Sequence, residues 1–274
     1  MQPMARLAAI GAVRSPLLRV PLSPVYKWYF EHATGQRRMF HGIYRGFGEA
    51  VDAIPPGRSI GFDNPGSSDR VAHARAFLSA YDYPVLFWLV QLLKPGTVVF
   101  DWGGNVGISF YAYRHHLHYP DKLEWVVSDV PAVIDLGRRL CDAENCTGLT
   151  FTTTLDRLSD ADILLSAGAL QFINEPFAML RKVGCLPAHV LLNKIPTYDQ
   201  PHAVTIQNMG TSLCPYHLFN RSEFVAQFAA LGYVMTDSWN NPGLGCFIPF
   251  HPEHSIASYS GFHFCLGKSD GAAQ

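Results

Sequence analysis

The stretch that decides the fold is VVFDWGGNVGISF, residues 98–110. An apolar run ends in Asp101, and glycines follow at Gly103, Gly104 and Gly107. Glycine lets a turn adopt positive φ and lets a ligand lie against bare backbone. We therefore predict a buried parallel strand that leads into a helix, with a ligand-binding turn between them at the carboxyl edge of the sheet.

Strand-like and helix-like segments alternate on the carboxyl side of this stretch, which is typical of βαβ units on a parallel sheet. We predict an α/β, Rossmann-like fold with a seven-stranded, mostly parallel sheet. Only residues 240–260, with no helical pattern, separate the last two strands, so we expect the last strand to be antiparallel. The predicted strands are 97–101, 123–129, 149–153, 162–166, 189–193, 233–239 and 262–267, and the predicted helices are 107–117, 131–143, 175–183 and 221–231.

The chain changes character near residue 95. Before it, aromatic residues and short helical periods dominate, so we expect an N-terminal helical cap over residues 1–94 and a cofactor-binding domain over 95–270. Nearly thirty residues follow the fifth strand before the next helix. Connections of this length are commonly lids or binding loops, so we expect an inserted lid over residues 194–221.

Composition narrows the classes of partner. Of 274 residues, 48% are hydrophobic and 16% are charged, which predicts a folded chain, and the net charge of −1 argues against nucleic acid or an anionic membrane. Six cysteines without a CxxC pair suggest a reducing compartment, and the chain has no apolar run of about twenty residues. We expect a cytoplasmic protein with a small-molecule substrate, and the aromatic N-terminal third leaves a homodimer open.

Two ligand classes fit the glycine stretch poorly. A P-loop needs a lysine after its last glycine, and none follows Gly107. A dinucleotide fingerprint needs a central glycine where this chain has Asn105. Asp129 ends the second predicted strand, where an acid can accept both ribose hydroxyls, so we expect it to bind ribose. The alternative is a cap for the helix that begins near Pro131, and both roles can coexist.

FDWGGNVG (100–107) followed by SDVPAVID (128–135) resembles the small-molecule O-methyltransferases. The chain also resembles a family of uncharacterised bacterial proteins regarded as methyltransferases, through FHGIYRGFGEA (40–50), GFDN (61–64) and VTIQNMGTSLCPYHLFNRSEF (204–224).

This resemblance implies a class I methyltransferase fold, S-adenosylmethionine (SAM) as the cofactor, and transfer of a methyl group to a hydroxyl oxygen of a small molecule. Asn105 replaces the central glycine of the O-methyltransferase loop, and Gln171 stands where plant enzymes often carry histidine. The residues expected to hold SAM are Asp101, Gly103, Gly104, Asn105, Gly107, Asp129, Val130, Thr153, Thr154 and Ser166.

The general base of the O-methyltransferases has no recognisable counterpart. Within the expected lid, His217 is our first candidate and His202 our second, while an ordinary loop histidine remains an alternative for each. The histidine-rich stretches 114–120 and 251–254 lack a ligand set typical of metals, so we expect no metal. Two other functions stay open: an NAD-type oxidoreductase, and a non-catalytic binding subunit with a methyltransferase-like fold.

Overall fold

The computed structural model describes residues 16–34, 38–64 and 77–267, and side chains from residue 22 onward. Parts of the expected cap therefore lie outside the described residues. The α-helices are α1 (Pro16–His32), α2 (Phe47–Asp52), α3 (Tyr83–Leu92), α4 (Ile108–Tyr113), α5 (Pro131–Glu144), α6 (Pro176–Leu180) and α7 (Arg221–Ala230). The strands are β1 (Met39–Tyr44), β2 (Val98–Trp102), β3 (Glu124–Ser128), β4 (Leu149–Thr152), β5 (Ile163–Ala167), β6 (His189–Ile195), β7 (Thr197–Tyr198), β8 (Ala203–Asn208), β9 (Leu213–Asn220), β10 (Tyr233–Cys246) and β11 (Ile256–Leu266).

The chain divides into two compact units. The first comprises residues 1–62, 196–220 and 242–259, and the second comprises 63–195, 221–241 and 260–274. Packing defines these units. The functional division into a cap over 1–94, a cofactor-binding domain over 95–270 and a lid over 194–221 stays a prediction.

A seven-stranded sheet in the order β10-β11-β6-β5-β2-β3-β4 organises the second unit. The β2–β3, β2–β5, β3–β4 and β5–β6 pairs are parallel, whereas β11 is antiparallel to β6. Numbered along the chain, these strands lie in the order 3-2-1-4-5-7-6. The predicted fold class, a mostly parallel Rossmann-like sheet with an antiparallel last strand, is confirmed.

Apolar side chains on one face of this sheet form a core cluster of the second unit, and Phe100 and Val126 are buried on the opposite face. Val99, Trp125, Val127, Leu165 and Leu191 are fully buried on neighbouring strands and belong to one cluster with residues of α3, α4 and α5. Strands covered on both faces must be apolar almost throughout, which explains why the apolar runs predicted them well.

The first unit contains a four-stranded sheet in the order β1-β8-β9-β7. Strand β1 pairs antiparallel with β8, from Met39 opposite Asn208 to Tyr44 opposite Val204. The expectation that residues 1–94 are helical therefore needs a correction, because this segment contributes β1. Phe30 of α1 and Ala50 of α2 are buried in one cluster with Val204 of β8.

The segment expected to be a lid is mostly extended structure. Strand β6 continues to Ile195, two residues beyond the predicted end, and β7, β8 and β9 occupy most of residues 197–220. Strands β8 and β9 form an antiparallel hairpin whose side chains are almost all buried. Among the described residues, no helix has the length and apolar character needed to cross a membrane.

Candidate cofactor site at the carboxyl edge of the sheet

The turn between β2 and α4 has positive φ at every second residue. The φ angles are +74° at Gly103, +57° at Asn105 and +88° at Gly107. Asparagine is one of the few non-glycine residues that adopts this region readily. Asn105 therefore has the backbone conformation expected of the glycine it replaces, and its side-chain Oδ1 accepts the Val106 N–H at 2.8 Å.

Asp129 joins this turn to the end of β3. Its Oδ2 accepts the N–H of Asn105 at 2.9 Å, and its Oδ1 accepts the N–H of Val130 at 2.7 Å. Burial raises the pKa of Asp129 to about 6, and the two amide hydrogen bonds oppose this shift. An ionised carboxylate has about four lone-pair sites, so two backbone bonds leave it capacity to accept ligand hydroxyls.

Asp101 lies directly beneath the turn, fully buried. Its Oδ2 accepts the indole N–H of Trp125 at 3.1 Å, while its Oδ1 is one of the buried polar atoms without a hydrogen-bond partner among the described residues. A Cβ built on Gly104 would lie 2.5 Å from the Asp101 carboxyl carbon, so this glycine lets the turn close over the carboxyl group. Burial raises the pKa of Asp101 to about 7, and the hydrogen bond from Trp125 opposes this shift by lowering the pKa.

We expect Asp101→Asn to stabilise the protein at alkaline pH. Because the folded-state pKa is raised from 3.8 to about 7, the folded chain holds the proton more tightly, and the contribution of Asp101 to stability is lost as pH rises from about 4 to about 7. The variant removes this loss, which is up to about 4 kcal/mol in total, of which about 3 kcal/mol falls between pH 5 and pH 9. Denaturant unfolding at pH 5 and pH 9 measures it. Exposed Asp135→Asn is the matched control, and a variant with no gain at pH 9 relative to pH 5 would contradict the raised pKa.

Gly103 has a second structural role besides its positive φ. A Cβ built there would lie 2.1 Å from the Cβ of Ala169, which follows β5. A side chain at Gly103 would therefore collide with the turn after the neighbouring strand.

We expect Gly103→Ala to be more destabilising than Gly96→Ala. Gly96 has a similar positive φ of +82° but nothing within 4 Å of its added Cβ, so both variants incur the backbone strain of about 1–2 kcal/mol. Only Gly103→Ala adds overpacking, typically about 1–3 kcal/mol. Free energies of unfolding measure the difference, and Gly103→Ala combined with Ala169→Gly should recover it. Equal losses in the two single variants would argue against the contact.

The remaining predicted cofactor residues fall into two groups. Thr153 and Thr154 follow β4 with exposed side chains, and the carbonyl of Thr154 accepts the hydroxyl of Ser128 at 3.1 Å. Ser166 is fully buried within β5, and its hydroxyl donates to the Trp102 carbonyl at 2.8 Å. The hydroxyl of Ser166 thus supports the end of β2 rather than facing solvent.

A partly buried ion pair that the sequence did not reveal lies at the same edge. The ammonium of Lys194 is 2.9 Å from Oδ1 of Asp82, whose other oxygen accepts the N–H and hydroxyl of Ser79 at 3.0 and 2.8 Å. Lys194 has a φ of +60°, uncommon for a lysine. The pairing joins residues more than one hundred positions apart, so only the fold brings them together.

Two amides extend this polar cluster. The Oδ1 of Asn193 accepts N–H groups from Lys194, Trp239 and Asn241 at 3.0, 3.2 and 2.9 Å. Gln171 is 3% exposed, and its Oε1 is buried without a hydrogen-bond partner among the described residues. A Cβ at Gly168, just after β5, would lie 3.5 Å from Lys194 and 3.7 Å from Gln171. Buried acceptors of this kind are costly unless a donor reaches them.

The two candidate bases lie together in the first unit. His217 of β9 is buried, its ring packs against Phe47 and Phe219, and its Nδ1 is 2.9 Å from Nε2 of the exposed His202. The structure thus brings His202 and His217 together, and it places all ten predicted cofactor residues in the second unit.

No protein-family model matches the chain. No curated protein matches it. Among solved structures, similarity is found to 1,6-didemethyltoxoflavin-N1-methyltransferase of Burkholderia thailandensis, with 17% identity, a TM-score of 0.45, and coverage of 69% of this chain and 79% of that one. Magnesium protoporphyrin IX methyltransferase of Synechocystis, solved with SAM, is 15% identical with a TM-score of 0.47, and the match covers 92% of this chain and 96% of that one. A SAM-dependent methyltransferase of Mesorhizobium loti is 15% identical with a TM-score of 0.45, and the match covers 68% of this chain and 98% of that one.

Proposed function

We propose that this protein is a SAM-dependent methyltransferase that acts on a hydroxyl oxygen of a small molecule. The observation that carries the proposal is the direct hydrogen bond from the Asn105 N–H to the Asp129 carboxylate, at the carboxyl edge of a Rossmann-like sheet. The contact supports the proposal because a carboxylate suited to ribose hydroxyls lies against a turn with glycines at 103, 104 and 107.

The chain's own residues fit SAM. Asp129 has lone pairs for the two ribose hydroxyls, and Thr153 and Thr154 lie after the next strand, where the adenine is expected. Buried Oδ1 of Asp101 and Oε1 of Gln171 are acceptors for the donors of an amino-acid group, directly or through water. SAM bound here would supply a methyl group already activated by a positive sulfur, so the protein's main tasks are to bind, orient and exclude water.

The sheet order favours this function over an NAD-type oxidoreductase. The dinucleotide-binding fold has the order 3-2-1-4-5-6, whereas here an antiparallel seventh strand lies between strands five and six. Because Asp129 would suit the ribose of either cofactor, a binding experiment must separate the two.

An acceptor hydroxyl also needs a destination for its proton, and we assign that role to His217. Its Nδ1 contacts the exposed His202, so a proton taken up by His217 has a route to solvent through hydrogen-bonded imidazoles. The cytoplasmic location and a homodimer remain predictions from the sequence.

The proposed activity is tested by incubating the purified chain with SAM and a panel of phenols, alcohols and amines. Formation of S-adenosylhomocysteine together with a methylated oxygen, identified by mass spectrometry, is the expected result. SAM binding without turnover on any acceptor would favour the non-catalytic alternative, and methylation confined to amines would overturn the assignment of oxygen.

A further inference from the structure

Three potential metal ligands lie together at the end of the sheet opposite the glycine turn. His189 is the first residue of β6, and Cys265 of β11 is its direct register partner. His263 precedes Cys265 by two positions, so both side chains lie on the same face of β11. The Nδ1 of His189 is 3.3 Å from Nε2 of His263, and Sγ of Cys265 is 3.4 Å from the first nitrogen and 3.8 Å from the second.

These separations match a tetrahedral zinc site. Zinc–nitrogen bonds of about 2.0–2.1 Å and zinc–sulfur bonds of about 2.3 Å place ligand atoms about 3.3–3.6 Å apart at tetrahedral angles. Imidazole and thiolate are also the ligands that zinc prefers over magnesium or calcium. Among the described residues, this is the one group of three His, Cys, Asp or Glu side chains whose ligand atoms converge in this way.

The surroundings of His263 favour one position for its ring proton. The hydroxyl of Thr236 lies 2.7 Å from Nδ1 and 3.2 Å from the carbonyl oxygen of His263, and the tautomer with Nδ1–H satisfies both contacts, because the hydroxyl then accepts from Nδ1 and donates to the carbonyl. In that tautomer Nε2 presents a lone pair to His189 and Cys265. A second hydrogen bond that orients the ring in this way is typical of metal-bound histidine.

Two carboxylates and one ammonium act electrostatically on the two rings: Asp162 and Lys94 on His189, and Asp237 on His263. The two carboxylates would partly offset the charge of a bound cation.

We propose that His189 Nδ1, His263 Nε2 and Cys265 Sγ form a zinc-binding site, with a fourth position for water or another ligand. Binding forms one Zn–S and two Zn–N bonds, and the Cys265 thiol proton leaves to solvent. If Nδ1 of His189 carries the ring proton, that proton shifts to Nε2. The metal would cross-link β6 and β11 through His189 and Cys265, so it would stabilise this end of the sheet. This role does not depend on the reaction at the opposite end, where the glycine turn lies.

The test uses the full chain after removal of metal with a chelator. We expect one equivalent of Zn²⁺ to bind in competition with a chromogenic chelator and to raise the unfolding temperature. One equivalent of Co²⁺ should give a near-ultraviolet thiolate-to-metal charge-transfer band. Cys265→Ser should abolish the band, whereas Cys185→Ser, which removes an exposed cysteine elsewhere, should retain it.

A subtler variant tests the orientation of His263. Thr236→Val leaves all three ligands in place and removes the hydroxyl, so zinc affinity should fall about 10–100-fold. Absence of the charge-transfer band in the wild-type chain would overturn the proposal. Zinc affinity unchanged in both Cys265→Ser and His263→Ala would also overturn it, because the metal would then bind elsewhere, for example at the exposed His115, His116 and His118.

Discussion

Replacing His217 by Gln or Ala is expected to lower kcat by about 10²–10⁴-fold, because neither side chain can take a proton from the acceptor hydroxyl. The affinity for SAM should stay constant, since all predicted cofactor residues lie in the other compact unit. Steady-state kinetics on the identified acceptor and calorimetric titration of the cofactor measure the two quantities separately.

The two substitutions differ in a useful way. Gln can still hydrogen-bond to His202, whereas Ala also leaves a cavity beside Phe47 and Phe219. His217 acts as a base if both variants lose kcat equally and if the fall in rate at acidic pH, seen in wild type, disappears in both. Near wild-type turnover in His217→Gln would eliminate that role, and His202→Gln would be the next variant to measure.

Asp129→Ala is expected to weaken S-adenosylhomocysteine binding at least tenfold. Each charge-assisted hydrogen bond from a ribose hydroxyl is worth about 1.5–3 kcal/mol, and about 1.4 kcal/mol corresponds to tenfold in affinity. Isothermal titration calorimetry measures the loss, and circular dichroism checks the fold. Asp135→Ala, an exposed carboxylate on α5, is the matched control and should bind normally.

The amide bonds from Asn105 and Val130 give Asp129 a second way to affect binding, by holding the glycine turn. A cofactor analogue that lacks one ribose hydroxyl separates the two effects. Wild type should bind the analogue more weakly than S-adenosylhomocysteine. Asp129→Ala should bind the two ligands with nearly the same affinity. Additive losses would mean that Asp129 acts only through the turn.

Local sequence pattern was enough to predict the seven-stranded sheet. The runs that became β2, β3 and β5 are apolar because both of their faces are covered, and the predicted ends lie within one residue of the observed ends. Strand β1 was missed because its partner β8 lies more than 150 residues away, and its MFHGIY sequence has neither an apolar run nor a clean alternation.

The position of the glycine turn and of Asp129 was predictable because both follow apolar strands. The ion pair of Asp82 with Lys194 and the cluster of His189 with Cys265 were not, since each joins residues more than 70 positions apart. Asn208 and Gly210 lie between β-branched and apolar runs, a hairpin signal that could have identified β8 and β9.

The most direct test of the central claim is calorimetric titration of the purified chain with S-adenosylhomocysteine, NAD and ATP under identical conditions. The backbone turn at 103–107, the Asp129 carboxylate and the buried acceptors on Asp101 and Gln171 predict one equivalent of bound S-adenosylhomocysteine, with NAD and ATP weak or undetectable. Preferential binding of NAD would contradict the assignment of this site to a methyl donor.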